Sequence, residues 1–78
     1  MLNSHQLNVF VTAVETLSFT KTAKRLHLTQ SGVSQQIKAL EGHLGVELFL
    51  RKGRQLAVTD AGNVLLPMAR EIVEGSIR

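Results

Sequence analysis

Two stretches with the apolar spacing of a buried helix face are joined by only a short run, Leu26-His27-Leu28-Thr29. Before the joint, Phe19, Ala23 and Leu26 share one face of a predicted helix over 19–26. After it, Val33, Ile37, Leu40 and Leu44 step by 4, 3 and 4 along a predicted helix over 30–44. A joint this short leaves room only for a sharp corner between the two helices. His27 suits the corner, because His is among the few non-glycine residues enriched at positive φ. No second His or carboxylate stands at ligand spacing from His27, so a metal-binding or general-base role for it has no support.

The rest of the chain arranges itself around that corner. Leu7, Phe10, Val11, Val14 and Leu17 form one stripe, which predicts a first helix over about 4–17, with Ser4 as its cap. Ser18 or Thr20 caps the second helix, and the sequence does not choose between them. Thr29 is placed to cap the third, and Gly45 falls where a left-handed glycine ends it. Leu48-Phe49-Leu50 and Gln55-Leu56-Ala57-Val58 flank Arg51-Lys52-Gly53-Arg54, which reads as a β-hairpin with a basic tip over 51–54. A last helix opens at Thr59-Asp60 and runs on to the final residue. The fold class is therefore mostly α. It is a winged helix-turn-helix of three helices plus a two-stranded hairpin over 1–58, followed by a long C-terminal linker helix over 59–78.

Length, charge and composition narrow the function. At 78 residues the chain is one small domain, too small for a deep catalytic pocket. It has no cysteine, which removes disulfides, thiolate nucleophiles and Cys-ligated zinc, and which fits a cytoplasmic location. Its three histidines, His5, His27 and His43, are scattered, and no glycine-rich phosphate loop appears. We therefore expect no enzyme activity, no cofactor and no metal. No apolar run approaches a membrane span. The net charge of +3 is unevenly placed: residues 18–54 hold seven cations against two acids, +5, and the remainder sums to −2. Such a division suggests one surface that faces a polyanion.

The outer face of the third helix sharpens that suggestion. Gln30, Ser31, Ser34, Gln35 and Lys38 project away from the apolar stripe, and no acid precedes Glu41. A merely solvated face favours Glu and Lys. Amides and hydroxyls both donate and accept, which suits them to reading base edges. In a helix-turn-helix this second helix of the pair lies in the major groove. The hairpin cations Arg51, Lys52 and Arg54 would then meet the backbone or the minor groove, although a charged tip also serves to discourage edge pairing. The competing function is a winged-helix protein-interaction module, which has no need of both the polar face and the basic wing.

The run Ser18-Phe19-Thr20, Ala23 to Ile37, Leu40-Glu41, Leu44 to Phe49, Arg51 and Thr59-Asp60-Ala61-Gly62 resembles the N-terminal domain of LysR-type transcriptional regulators. The resemblance covers essentially the whole chain. It implies that Gln30, Ser31, Ser34 and Gln35 face the groove, and that Arg51 and Arg54 belong to the wing. It also implies that Ser18 and Thr20 begin the second helix beside a phosphate. Thr29, at the start of the third helix, is a further candidate for the DNA backbone. The sequence departs from the family in having Leu17 where glycine is usual and Gly32 where Ala or Pro is common; Gly42 interrupts the recognition helix. The family also implies double-stranded DNA as partner and a dimer, with a tetramer in the full-length protein. A small-molecule effector would act only through a domain that lies outside this chain.

The last helix carries the dimer expectation. Leu65, Met68, Ile72, Val73 and Ile77 form a stripe that, if the globular part ends near residue 66, has nothing of this chain to pack on. A partner's helix would cover it, and two-fold symmetry would then require an inverted-repeat operator.

Overall fold

A computed structural model describes residues 3–75. Four helices and one hairpin follow in the expected order: α1 (Ser4–Thr16), α2 (Phe19–Leu26), α3 (Gln30–Leu44), β1 (Phe49–Lys52), β2 (Gln55–Val58) and α4 (Asp60–Val73). Leu7, Val9, Phe10 and Ala13 of α1, Val33, Ile37 and Leu40 of α3, Leu48 and Phe49 at the wing, and Leu65 and Ala69 of α4 share one core.

Each helix boundary has a local cause. Asn3, not Ser4, caps α1, its Oδ1 accepting the Gln6 N–H at 2.7 Å. Ser18 is the cap of α2, accepting the Lys21 N–H at 3.0 Å. Thr29 caps α3 through the Gly32 N–H at 2.9 Å. The corner after α2 is a Schellman arrangement: His27 sits at φ 58°, and the Leu28 N–H reaches back to the Ala23 carbonyl at 2.8 Å. Leu28 then turns inward onto the core. The corner between α1 and α2 is closed by hydroxyls. The Thr16 and Thr22 Oγ atoms lie 2.8 Å apart, and both donate toward the Ser18 carbonyl. Thr22 is fully buried, whereas Thr16 and Ser18 are half-buried.

Leu17 ends α1 in the left-handed region, at φ 51°, with 47% of its surface exposed. A Cβ in that conformation is strained by roughly 1 kcal/mol, and glycine escapes the strain. Leu17→Gly is therefore expected to stabilise the fold by about 0.5–1 kcal/mol, read as a raised urea midpoint. A lowered midpoint would mean that the Leu17 side chain contributes more by contact than its backbone loses by strain.

The hairpin differs from the expected one in its register. Phe49 pairs with Val58, Leu50 with Ala57, Arg51 with Leu56 and Lys52 with Gln55. Arg51 and Lys52 are thus strand residues, and the turn is only Gly53-Arg54. Gly53 adopts φ 62°, as the first position of a two-residue primed turn requires. Because strand side chains alternate, Arg51 and Lys52 point to opposite faces of the wing.

The C-terminal helix also departs from expectation. It packs lengthwise on α1, and Ala69 is fully buried at that seam. Leu65 is only 7% exposed and belongs to the core, and Ile72 and Val73 are half-buried against it. The chain's own α1, rather than a partner, thus covers most of the stripe, and the globular unit extends well past residue 66. The boundary at 58/59 marks the start of a helix, not the edge of the packed unit. The helix closes at Val73, with Gly75 at φ 69°, so the expected run to the final residue is not realised; Ile77 lies outside the described residues.

Candidate nucleic-acid interface

The candidate surface starts from the way α3 is divided. Val33, Ile37 and Leu40 face the core. On the opposite side Gln30, Ser31, Ser34, Gln35 and Lys38 line one shallow depression of about 410 Å³. All five residues expected to face bases are thereby brought together. Gln30, Ser31, Gln35 and Lys38 are exposed, and Ser34 is half-buried. Thr29, at the end of this face, is exposed, but its hydroxyl is already engaged in the cap.

Ser34 and Lys38 also form one wall of a narrow crevice of about 140 Å³ between α3 and the wing. Arg51 forms the other wall. Its guanidinium carbon lies 5.9 Å from the Phe19 ring centroid, a cation–π contact worth about 0.5–1 kcal/mol where exposed. Phe19 meets Phe49 edge-on at 5.6 Å, and Phe49 meets Phe10 at 5.7 Å. This row of rings ties Arg51 to the core beside the crevice. Sequence reasoning placed Arg51 at the hairpin tip; its partner Phe19 was visible only as a stripe residue.

The other wing cations stand apart from that crevice. Lys52 and Arg54 are exposed, and Arg54 borders a separate depression with Leu17, Gln55 and Leu56. Thr20 is exposed beside Lys21 and Lys24 on α2, whereas the Ser18 hydroxyl is committed to its cap. Arg25 is withdrawn from the basic surface: it pairs with Glu15 at 3.0 Å, and Arg70 of α4 reaches the same carboxylate at 3.3 Å. Among the described residues no group of three His, Asp or Glu side chains is placed to hold a metal ion, and no helix is long and apolar enough to cross a membrane.

Glu41 is the residue that sequence reasoning missed. It is the only acid of α3, and its Oε2 accepts the backbone N–H of Leu48 at 2.7 Å and, more loosely, that of Phe49 at 3.4 Å. Its isolation among polar and basic neighbours was the available signal.

The family model described as the bacterial regulatory helix-turn-helix protein, lysR family, matches residues 4–63. The chain belongs to the LysR family. A LysR relative in Azotobacter vinelandii, described as an uncharacterized HTH-type transcriptional regulator in the ibpB-leuC intergenic region, is 51% identical over 67 residues, covering 86% of this chain and 46% of that protein. Among solved structures, an OxyR C206 mutant of Corynebacterium glutamicum superposes with a TM-score of 0.90 at 39% identity, covering 95% of this chain and 24% of that one. The DNA-binding domain of CbnR, in a structure described as a complex with DNA, superposes at 0.88 with 37% identity, covering 96% of this chain and 86% of that one. The chain thus spans less than half the length of the curated relatives it matches. The winged helix-turn-helix expected from the sequence is the fold of this family.

Proposed function

We propose that this chain is the DNA-reading module of a LysR-type transcription regulator and binds double-stranded DNA in a sequence-specific manner. The observation that carries the reading is the single open face of α3, where Gln30, Ser31, Ser34, Gln35 and Lys38 lie together beside the Arg51 wall of the wing. In this reading α3 enters the major groove and its amides and hydroxyls read base edges. Arg51, Lys52 and Arg54 meet the backbone or the minor groove, and Thr20, Ser18 and Thr29 border adjacent phosphates. The likeness to the CbnR domain, described in a complex with DNA, supports DNA as the partner here.

The test separates reading from positioning. Gln30→Ala or Gln35→Ala is expected to cost roughly 1–3 kcal/mol on a duplex selected from a random pool, and to relax preference at one or two base pairs. Arg54→Ala should weaken binding to all duplexes about equally. Anisotropy titrations followed by a repeated selection read both effects. An unchanged consensus after both glutamine substitutions would remove α3 from the groove.

The working unit we propose is a homodimer on an inverted repeat, with a tetramer in the full-length protein. Its seam would involve the outer side of α4, where Val64 is 80% and Met68 51% exposed, rather than Leu65. Ile72 and Val73 would contribute only their uncovered edges. A small-molecule effector would act through a further domain, and the regulator would work in the cytoplasm. Catalysis forms no part of the reading: the relatives are described as transcriptional regulators, and the α3 face offers amides and hydroxyls without a general base or nucleophile pair.

A further inference from the structure

We propose that Glu41 is a positioning residue: its carboxylate locks the wing to the recognition helix, so that the two bind DNA as one rigid tool. The proposal rests on the DNA-reading role argued above.

An acid on a helix that faces phosphate is unfavourable by simple Coulomb reasoning, since like charges repel. Glu41 nevertheless follows Lys38 by three residues and Ser34 by seven, which puts it at the inner end of the crevice they share with Arg51. Its chemistry there is structural. The start of the wing leaves the Leu48 and Phe49 N–H groups turned toward α3 rather than toward β2, and one carboxylate oxygen accepts both. Leu48 is fully buried, so its N–H has no access to water as a substitute partner. A carboxylate accepting a backbone N–H forms one of the stronger, charge-assisted hydrogen bonds.

On the far side of the same two residues, the Leu48 carbonyl accepts the Thr59 N–H at 3.0 Å, and the Thr59 hydroxyl donates to the Glu47 carbonyl at 2.6 Å. The start of the wing is therefore clamped between α3 and the first turn of α4. Thr59 holds it to α4 through its backbone N–H and its hydroxyl. Among the described residues Glu41 makes the only hydrogen bonds from α3 to the start of the wing, and that link, added to the apolar packing, fixes the distance from the base-reading side chains to the wing cations.

Coulomb reasoning and the tether predict opposite signs. If Glu41 is only an acid near phosphate, both Glu41→Gln and Glu41→Ala tighten binding. If it is the tether, Glu41→Ala weakens binding about tenfold and lowers the slope of log K against log salt by about 1, because a loosened wing loses a phosphate contact. Glu41→Gln keeps an acceptor oxygen and holds affinity within about twofold of the unmodified chain, or improves it. In the Glu41→Ala background, Arg54→Ala should cost much less than it does alone, whereas Gln35→Ala should cost the same in both backgrounds. A loss of folded fraction alone would change neither the slope nor that coupling.

The experiment uses the 78-residue chain and a duplex that the chain itself selects from a random pool. Hydrogen exchange of the unmodified chain is followed in parallel, and the Leu48 amide should be strongly protected. Binding by the unmodified chain that Glu41→Ala leaves equal or tighter, with an unchanged slope, overturns the tether alone. Rapid exchange at Leu48 overturns it as well, even where Glu41→Ala fails to fold. Failure of the unmodified chain to bind any duplex overturns the DNA-reading role on which the proposal stands.

Discussion

Raising salt from about 50 to about 200 mM is expected to weaken binding of a pair of these chains to an inverted-repeat duplex by about four orders of magnitude. The expectation starts from a count of usable cations. Arg25 and Arg70 are held by Glu15 and drop out. Lys21, Lys24, Lys38, Arg51, Lys52 and Arg54 remain on or beside the α3–wing surface. If about four of these six neutralise phosphates in each chain, log K falls against log salt with a slope near −4 for one chain on one half-site and near −7 for two chains on an inverted repeat. Counterion release makes the measurement report stoichiometry as well as mechanism. A slope near −4 on a duplex carrying both half-sites would show that one chain binds alone and would remove the dimer from the proposal. A flat response would remove DNA.

The second large effect concerns Gly62. Its Cβ, were one present, would lie 2.6 Å from a Val58 methyl and 2.7 Å from the Leu48 carbonyl oxygen. The carbonyl is backbone and is already fixed by Thr59, so it has nowhere to go. The first turn of α4 approaches the base of the wing this closely only because position 62 lacks a side chain. Gly62→Ala is expected to destabilise the fold by about 2–3 kcal/mol, with a fall in melting temperature of roughly 10–20 °C. Gly42→Ala is the control. Gly42 is exposed in α3 with nothing within 4 Å of its virtual Cβ, so there alanine should stabilise by about 1 kcal/mol. Calorimetry on the two variants should therefore give shifts of opposite sign, and equal shifts would refute the packing argument.

Periodicity and caps carried most of the architecture because both are local. Thr29, Gly45 and His27 announce helix ends through chemistry within five residues, and each end lies where expected. The same locality explains the slips. Asn3 and Ser4 are both good caps and adjacent, so composition alone cannot rank them. Arg51 and Lys52 looked like turn because strands disfavour charge, yet on an edge strand the exposed side chains are free to be basic. Leu65, Ile72 and Val73 form a helical stripe whichever surface covers them. Period 3.6 records that a face is dry, not that α1 rather than a partner keeps it dry. The reading face was legible as chemistry, in the amides and hydroxyls of α3. The Glu41 tether was not, since its partners are backbone N–H groups that no side-chain pattern encodes.

The division of α3 into an inner and an outer face has a consequence for how such a regulator changes its target. The inward side chains Val33, Ile37 and Leu40 carry the helix's packing, whereas Gln30, Gln35 and Lys38 are wet and make no hydrogen bond to the rest of the described fold. Exposed substitutions of this kind usually shift stability by less than about 0.5 kcal/mol. On the proposed DNA-reading role, a mutation there would alter which DNA is preferred while the protein persists at its normal abundance. The address can therefore drift one residue at a time through a series of folded intermediates, and a duplicated copy can acquire a new operator without first having to be stabilised.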